Sequence, residues 1–181
     1  MPYANTNGVK LYFEVYGEGK PLVFIHGIGI SSKVWSFQRE ILSKDFRMIV
    51  YDLRGSGKSE KTPQEIHTAD MMSEDLKGLV DFLRLDRISL VAISLGAAVA
   101  MKFAIKYPEK VDCLILTGAF ADLKGILYAS SRYFSWIIGK LLMFKFFGEL
   151  ATKFMLPSAP RRELLYYHKN FISIDRDEVT K

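Results

Sequence analysis

Apolar and polar positions fall into short blocks along the first two thirds of the chain. Residues 9–19, VKLYFEVYGEG, partly alternate and close on glycines, as a strand does before a turn. Four nearly continuous apolar runs follow: PLVFIHG (21–27), FRMIVYD (46–52), ISLVAIS (88–94) and VDCLILTG (111–118). Runs of this length predict strands buried on both faces of a parallel sheet.

Helical periods lie between the runs. SSKVWSFQREILS (31–43) opens on serines suited to capping a helix. In TADMMSEDLKGLVDFLRL (68–85), Met72, Leu76, Leu79 and Leu83 follow the i, i+4, i+7, i+11 spacing of one buried face. LGAAVAMKFAIKYP (95–108) stops at Pro108, and its Gly96, Ala97, Ala98 and Ala100 permit close packing. Strand and helix alternate, which predicts the α/β class: a mainly parallel sheet flanked by helices. After residue 120 the rhythm changes to aromatic-rich, helical composition without strand-like segments. The expected division is a core over 1–120 and a helical cap or lid over 121–181.

Composition narrows the class further. Hydrophobic residues are 49% and charged residues 25%, the balance of a soluble globular protein. The net charge of +5 is spread along the chain, so nucleic acid is not an expected partner. The single cysteine, Cys113, excludes an internal disulfide framework, suits a reducing compartment, and lies in an apolar run that predicts a buried thiol. The first residues lack a signal-peptide pattern, and no uncharged apolar run reaches the ~18 residues that span a bilayer. A cytoplasmic location is expected. Four cations and no acid lie between Asp122 and Glu149. Cationic helices can rest on membranes, but an apolar roof over a binding site is the favoured reading of this segment.

The chemistry centres on AISLG (92–96). It compares with the nucleophile elbow G-x-S-x-G, in which a strand turns sharply into a helix with the serine at the apex. Residues two before and two after must be small; Gly96 fits, and Ala92 replaces the first glycine. Earlier, FIHGIG (24–29) ends a strand on glycines whose N–H groups are free to face an anion. A tetrahedral intermediate needs about two such donors, each worth roughly 2.7–4 kcal/mol. The N–H groups of Ile28 and Leu95 are the natural pair.

VFIHGIG (23–29), VYDLRGSGKS (50–59) and VAISLG (91–96), in that order, resemble the α/β-hydrolase superfamily. Trp35 and YPEKV (107–111) add to the likeness, which covers roughly residues 5–120 with specific motifs. The resemblance implies Ser94 as nucleophile, Ile28 and Leu95 as oxyanion-hole donors, and His26, Gly27 and Gly96 as supports. Because the apex is Ser and not Asp, the epoxide-hydrolase and haloalkane-dehalogenase branches are disfavoured. Esterases, lactonases, C–C-bond hydrolases and perhydrolase-like members remain.

Rival motifs fail on spacing. DLRGSGKS (52–59) contains GKS after a strand, but a phosphate loop needs glycine where Asp52 stands. GIGISS has Ser32 at the third small position of a dinucleotide fingerprint, without the long βαβ acidic partner. No histidine pair has metal-ligand spacing, so neither metal nor cofactor is expected.

In the family's order, acid and base follow the serine. His168 is the only histidine after Ser94, and its simplest role is on the surface of a cap helix. His67 reads as a solvated loop residue. Asp122, just past the last predicted strand, is a candidate acid in the less common arrangement that places it there. The expected function is a serine hydrolase acting on apolar ester-like small molecules through Ser94, with these residues as an incomplete portion. Self-association, or complementation by a C-terminal segment, is expected to accompany it. The alternatives are a divergent enzyme with His168 or His67 as base, and a non-catalytic binding protein or inactive fragment on a hydrolase scaffold.

Overall fold

The structure, a computed structural model, describes residues 2–62 and 67–119. The chain divides at Ala121/Asp122, and all described residues belong to the first unit. The region read as a cap, with Asp122 and His168, lies outside the described residues.

Six strands form one sheet: β1 (Tyr3–Thr6), β2 (Val9–Tyr16), β3 (Lys20–Ile25), β4 (Phe46–Tyr51), β5 (Ile88–Ile93) and β6 (Val111–Thr117). Their order is β1-β2-β4-β3-β5-β6; β1–β2 and β2–β4 are antiparallel and the other pairs parallel. The sequence pattern places β2 to β6 correctly and misses β1. Asn5–Gly8 could have revealed it, because Asn7 and Gly8 take φ of 44° and 72°, the left-handed pair that a two-residue hairpin turn requires.

Alternation within each strand sends its residues to two cores. Val23, Ile25, Ile49, Tyr51, Leu90 and Ala92 meet α2 (Ala69–Phe82) and α3 (Leu95–Lys106) on one face. Phe24, Met48 and Val50 meet Trp35 on the other, the face that carries α1 (Ser36–Leu42). In α2, Met72, Leu76 and Leu79 are buried as their spacing predicts, and the Thr68 hydroxyl caps the helix by accepting from the Met71 N–H at 3.2 Å.

Two expectations are corrected here. Ser31 and Ser32 cap no helix through their side chains; Ser32–Trp35 is a 3₁₀ turn and α1 starts only at Ser36. Cys113 is exposed, not buried. Among the described residues β6 is an edge strand of the sheet, with β1 at the other edge. In β6, Leu114 and Leu116 pack on the α2–α3 core, while the alternating Cys113 and Ile115 face the other way and stay exposed. The described helix on that face, α1, packs against β4 instead. An apolar run shows that a strand can be buried on both faces; what covers each face is a tertiary matter.

Candidate active site at the carboxyl ends of β3 and β5

The chain leaves β3 for β4 on one side, then crosses over β3 to reach β5 on the other. The carboxyl ends of β3 and β5 therefore flank the point where the winding reverses, which is where ligands bind in open α/β sheets. His26–Gly27 follow β3, and Ser94 follows β5.

Ser94 forms the corner between β5 and α3 with φ 54° and ψ −119°. This is the first-corner geometry of a type II′ turn, where glycine is the usual resident. A non-glycine residue there carries roughly 1–3 kcal/mol of strain. Backbone bonds on both sides hold it: the Ser94 N–H donates to the Thr117 carbonyl at 3.0 Å, and the Ala97 N–H donates to the Ser94 carbonyl at 2.9 Å. The Ser94 hydroxyl makes no capping bond to α3, and the residue is half-buried. Leu95 opens α3, so its N–H is one of the first-turn donors without an intrahelical partner.

Two glycines allow β3 and the corner to approach. A Cβ on Gly96 would lie 2.4 Å from the Ile25 carbonyl oxygen and 2.6 Å from that of His26. A Cβ on Gly27 would lie 3.1 Å from Ser94 Cβ and 3.6 Å from its Oγ. Ala92, 1% exposed, fits where the motif's first glycine would stand. Gly27 thus sits directly against Ser94, and Ile28, next in the chain, is 79% exposed.

His26 is fully buried and both ring nitrogens are engaged. Nε2 accepts from the Leu53 N–H at 2.9 Å, so the proton sits on Nδ1, 2.7 Å from the Gly27 carbonyl oxygen to which it donates. Burial holds the imidazole below its ordinary pKa, against the raising effects of the Gly27 carbonyl and the Asp52 charge. A neutral ring with both nitrogens engaged braces the loop and is unavailable as a base. His67 is not a free loop histidine either: Nε2 lies 2.6 Å from the Thr62 hydroxyl, and its ring occupies the space beside Gly55. Among the described residues no cluster of three or more metal-ligating side chains occurs.

In the sequence Asp52 stands out only as the residue that spoils a phosphate loop; the structure gives it a role of its own. Its buried carboxylate accepts from the Ser32 N–H at 2.7 Å and the Lys58 N–H at 2.8 Å. At Lys58 a negative side chain of the protein itself meets an N–H group that a phosphate loop would turn to its ligand. The same loop is pinned to α2 by the buried Arg54–Asp75 ion pair, Nε to Oδ2 at 2.5 Å.

The chain is 36% identical over 115 residues to the AB hydrolase superfamily protein YisY of Bacillus subtilis, covering 62% of this chain and 42% of that protein. It is 35% identical over 118 residues to 2-hydroxy-6-oxo-2,4-heptadienoate hydrolase of Pseudomonas putida, covering 63% and 42%. Among solved structures it is similar to a thermophilic esterase from Thermogutta terrifontis, with a TM-score of 0.75, 28% identity, and coverage of 98% of this chain and 68% of that one. The chain spans about two fifths of the length of the curated relatives it matches. No helix among the described residues is long and apolar enough to cross a membrane. The sequence model of the α/β hydrolase fold matches residues 20–179, and the chain belongs to that family.

Proposed function

We propose that this chain carries the nucleophile and oxyanion site of a serine hydrolase acting on carboxylic esters or related acyl substrates. The observation that carries the reading is the strained Ser94 corner, with its hydroxyl unused as a cap and Gly27 packed against it at the winding-reversal point. Ser94 Oγ adds to the substrate carbonyl carbon, the carbonyl electron pair moves to oxygen, and the N–H groups of Ile28 and Leu95 receive that oxyanion. The hydroxyl proton must pass to a base, since a serine hydroxyl is otherwise a weak nucleophile. His26 and His67 are engaged elsewhere, so the reading takes base and acid from beyond the described residues, with Asp122 kept as a candidate acid.

The named activities of the relatives, an esterase and a heptadienoate hydrolase, support a carbonyl substrate. The exposed Ile28 and the aromatic composition of residues 121–170 support an apolar acyl group. Self-association along β6 belongs to the same reading, supported by the exposed Cys113 and Ile115 on that edge strand. Complementation by a further C-terminal segment would cover that edge and supply the base. A cytoplasmic location rests on the lone cysteine.

The test is a fluorophosphonate ester incubated with residues 1–181 and with Ser94→Ala, the adduct located by mass spectrometry, beside p-nitrophenyl butyrate turnover and light scattering. Slow, selective labelling of Ser94 is expected, with ester turnover roughly 10⁶-fold below that of a complete triad. Adducts elsewhere with Ser94 unmodified would overturn the nucleophile assignment. Fast Ser94-dependent turnover from a monomer would show a base and a covered edge within these residues.

A further inference from the structure

Residues 27–31 form an arc whose two ends are fastened to two consecutive residues of the neighbouring loop. At the near end His26 Nε2 holds the Leu53 N–H, and at the far end the Ser32 N–H holds Asp52 Oδ1. Between these points, Gly29 has φ 72° with open space around it, and Ile28 is mostly exposed. The course of the arc therefore follows from where its ends are held.

The far anchor is itself rigid. The Asp52 N–H donates to the Tyr12 carbonyl at 2.9 Å, and the Ser59 hydroxyl donates to the Asp52 carbonyl at 2.6 Å. Asp52 is 2% exposed, and its Oδ2 lies 2.2 Å from where a Cβ on Gly57 would be. The carboxylate is wedged against Gly57 and reaches Ser32 from a fixed backbone. Trp35, three residues past Ser32, packs edge-on against Phe24 of β3 with ring centroids 5.1 Å apart, so the chain beyond the anchor is also held.

We infer that Asp52 is a positioning residue: through the Ser32 N–H it sets the arc, and thereby the direction of the Ile28 N–H toward Ser94. This rests on the reading of Ile28 as an oxyanion donor. A carboxylate suits the task because both donors it meets are N–H groups, and two acceptor oxygens satisfy both at once. Asparagine, equal in size, satisfies one and turns an NH₂ group toward the other.

The experiment compares butylboronic acid, which forms a tetrahedral anionic adduct with a serine hydroxyl, with butyramide, an uncharged planar analogue of similar shape. Binding to residues 1–181 is followed by ¹¹B NMR for the adduct and by ligand-observed NMR for the amide. Asp52→Asn is expected to weaken the boronate adduct about tenfold to a hundredfold, the usual effect of losing a hydrogen bond to a charged group, with butyramide binding unchanged. Ser32→Pro removes the far-end N–H without touching Asp52. It suits the chain there because Ser31 is extended and Ser32 opens the 3₁₀ turn. It is expected to weaken the adduct by a similar factor, and the double variant should be no worse than either single one.

Unchanged boronate binding in Asp52→Asn overturns the inference. So does an equal loss of both ligands with a fallen melting temperature, which assigns Asp52 a purely structural role, and so do additive losses in the double variant. If the native chain shows no tetrahedral boron, as Ser94→Ala should not, the serine reading itself fails. The inference about the arc is then judged by the Ile28 amide resonance: a shift in Asp52→Asn with α3 amides unmoved supports it, and no shift overturns it.

Discussion

The two halves of the site are built by different means. The corner at Ser94 is held by backbone: its N–H bonds to Thr117, its carbonyl receives Ala97, and Gly96 lets it press against the Ile25 and His26 carbonyls. The arc after β3 is held by side chains, its own His26 imidazole against Leu53 and the carboxylate of Asp52 against Ser32. The corner depends on what is missing from the side chains, and the arc on what is present in them. Strain in the corner is thus opposed by many small contacts, whereas the arc depends on two polar groups that each have one place to be.

The largest expected effect comes from breaking the corner. Gly96→Ala puts a methyl group into two backbone carbonyls, which cannot rotate away as side chains can. A destabilisation of about 3 kcal/mol, the upper range for overpacking, is expected in urea unfolding. A loss below about 1 kcal/mol would mean that the corner can shift away from β3.

Next comes the near end of the arc. His26→Ala strands the Leu53 N–H in a buried place, at a cost of about 1–3 kcal/mol before any cavity is counted. Hydrogen exchange should quicken at Leu53 while Ala97 in α3 stays protected. Equal acceleration at both sites would show that arc and corner are one unit and not two.

Ser94→Gly should act in the opposite direction, raising stability by about 1 kcal/mol through relief of the left-handed φ. Ser94→Ala keeps the strain and should stay within about 0.5 kcal/mol of the native chain. If both variants behave alike, the corner is unstrained.

The effect confined to acid pH is the response of His26. Its folded pKa lies below the ordinary histidine value, so below about pH 6.5 the unfolded chain binds a proton that folded His26 does not. Stability is therefore fully present above about pH 6.5 and falls as the pH drops from there toward the folded pKa, with a limiting slope of about 1.4 kcal/mol per pH unit. His26→Gln, which can still accept from Leu53, should flatten the urea midpoint between pH 5 and 7. An unchanged slope would assign the response to other groups.

Much of this site is legible in the order of the amino acids. The runs ending at Gly27 and Ser94 read as strands because short, continuous apolar runs closed by small residues suit a buried sheet. AISLG reads as a tight corner because small residues flank its serine. The face of α2 follows from the 3.6-residue period at Met72, Leu76 and Leu79. Asp52 is not legible as an anchor, since its two partners, Ser32 and Lys58, offer only backbone N–H groups, which every residue but proline has. The placement of His67 is hidden for a similar reason: the space it fills is the missing side chain of Gly55. Cys113 reads as buried and is exposed, because apolar sequence cannot say which neighbour covers a strand.

The sequence by itself determined β2 to β6, the buried face of α2 and the serine corner, because local period and residue size act within a few positions of one another. Tertiary structure alone decided that Gly27 meets Ser94, that Asp52 holds Ser32, and that β6 leaves one face exposed. Those contacts join segments separated by crossovers, and the order in which strands enter a sheet is fixed by the packing of whole faces, which no single segment carries.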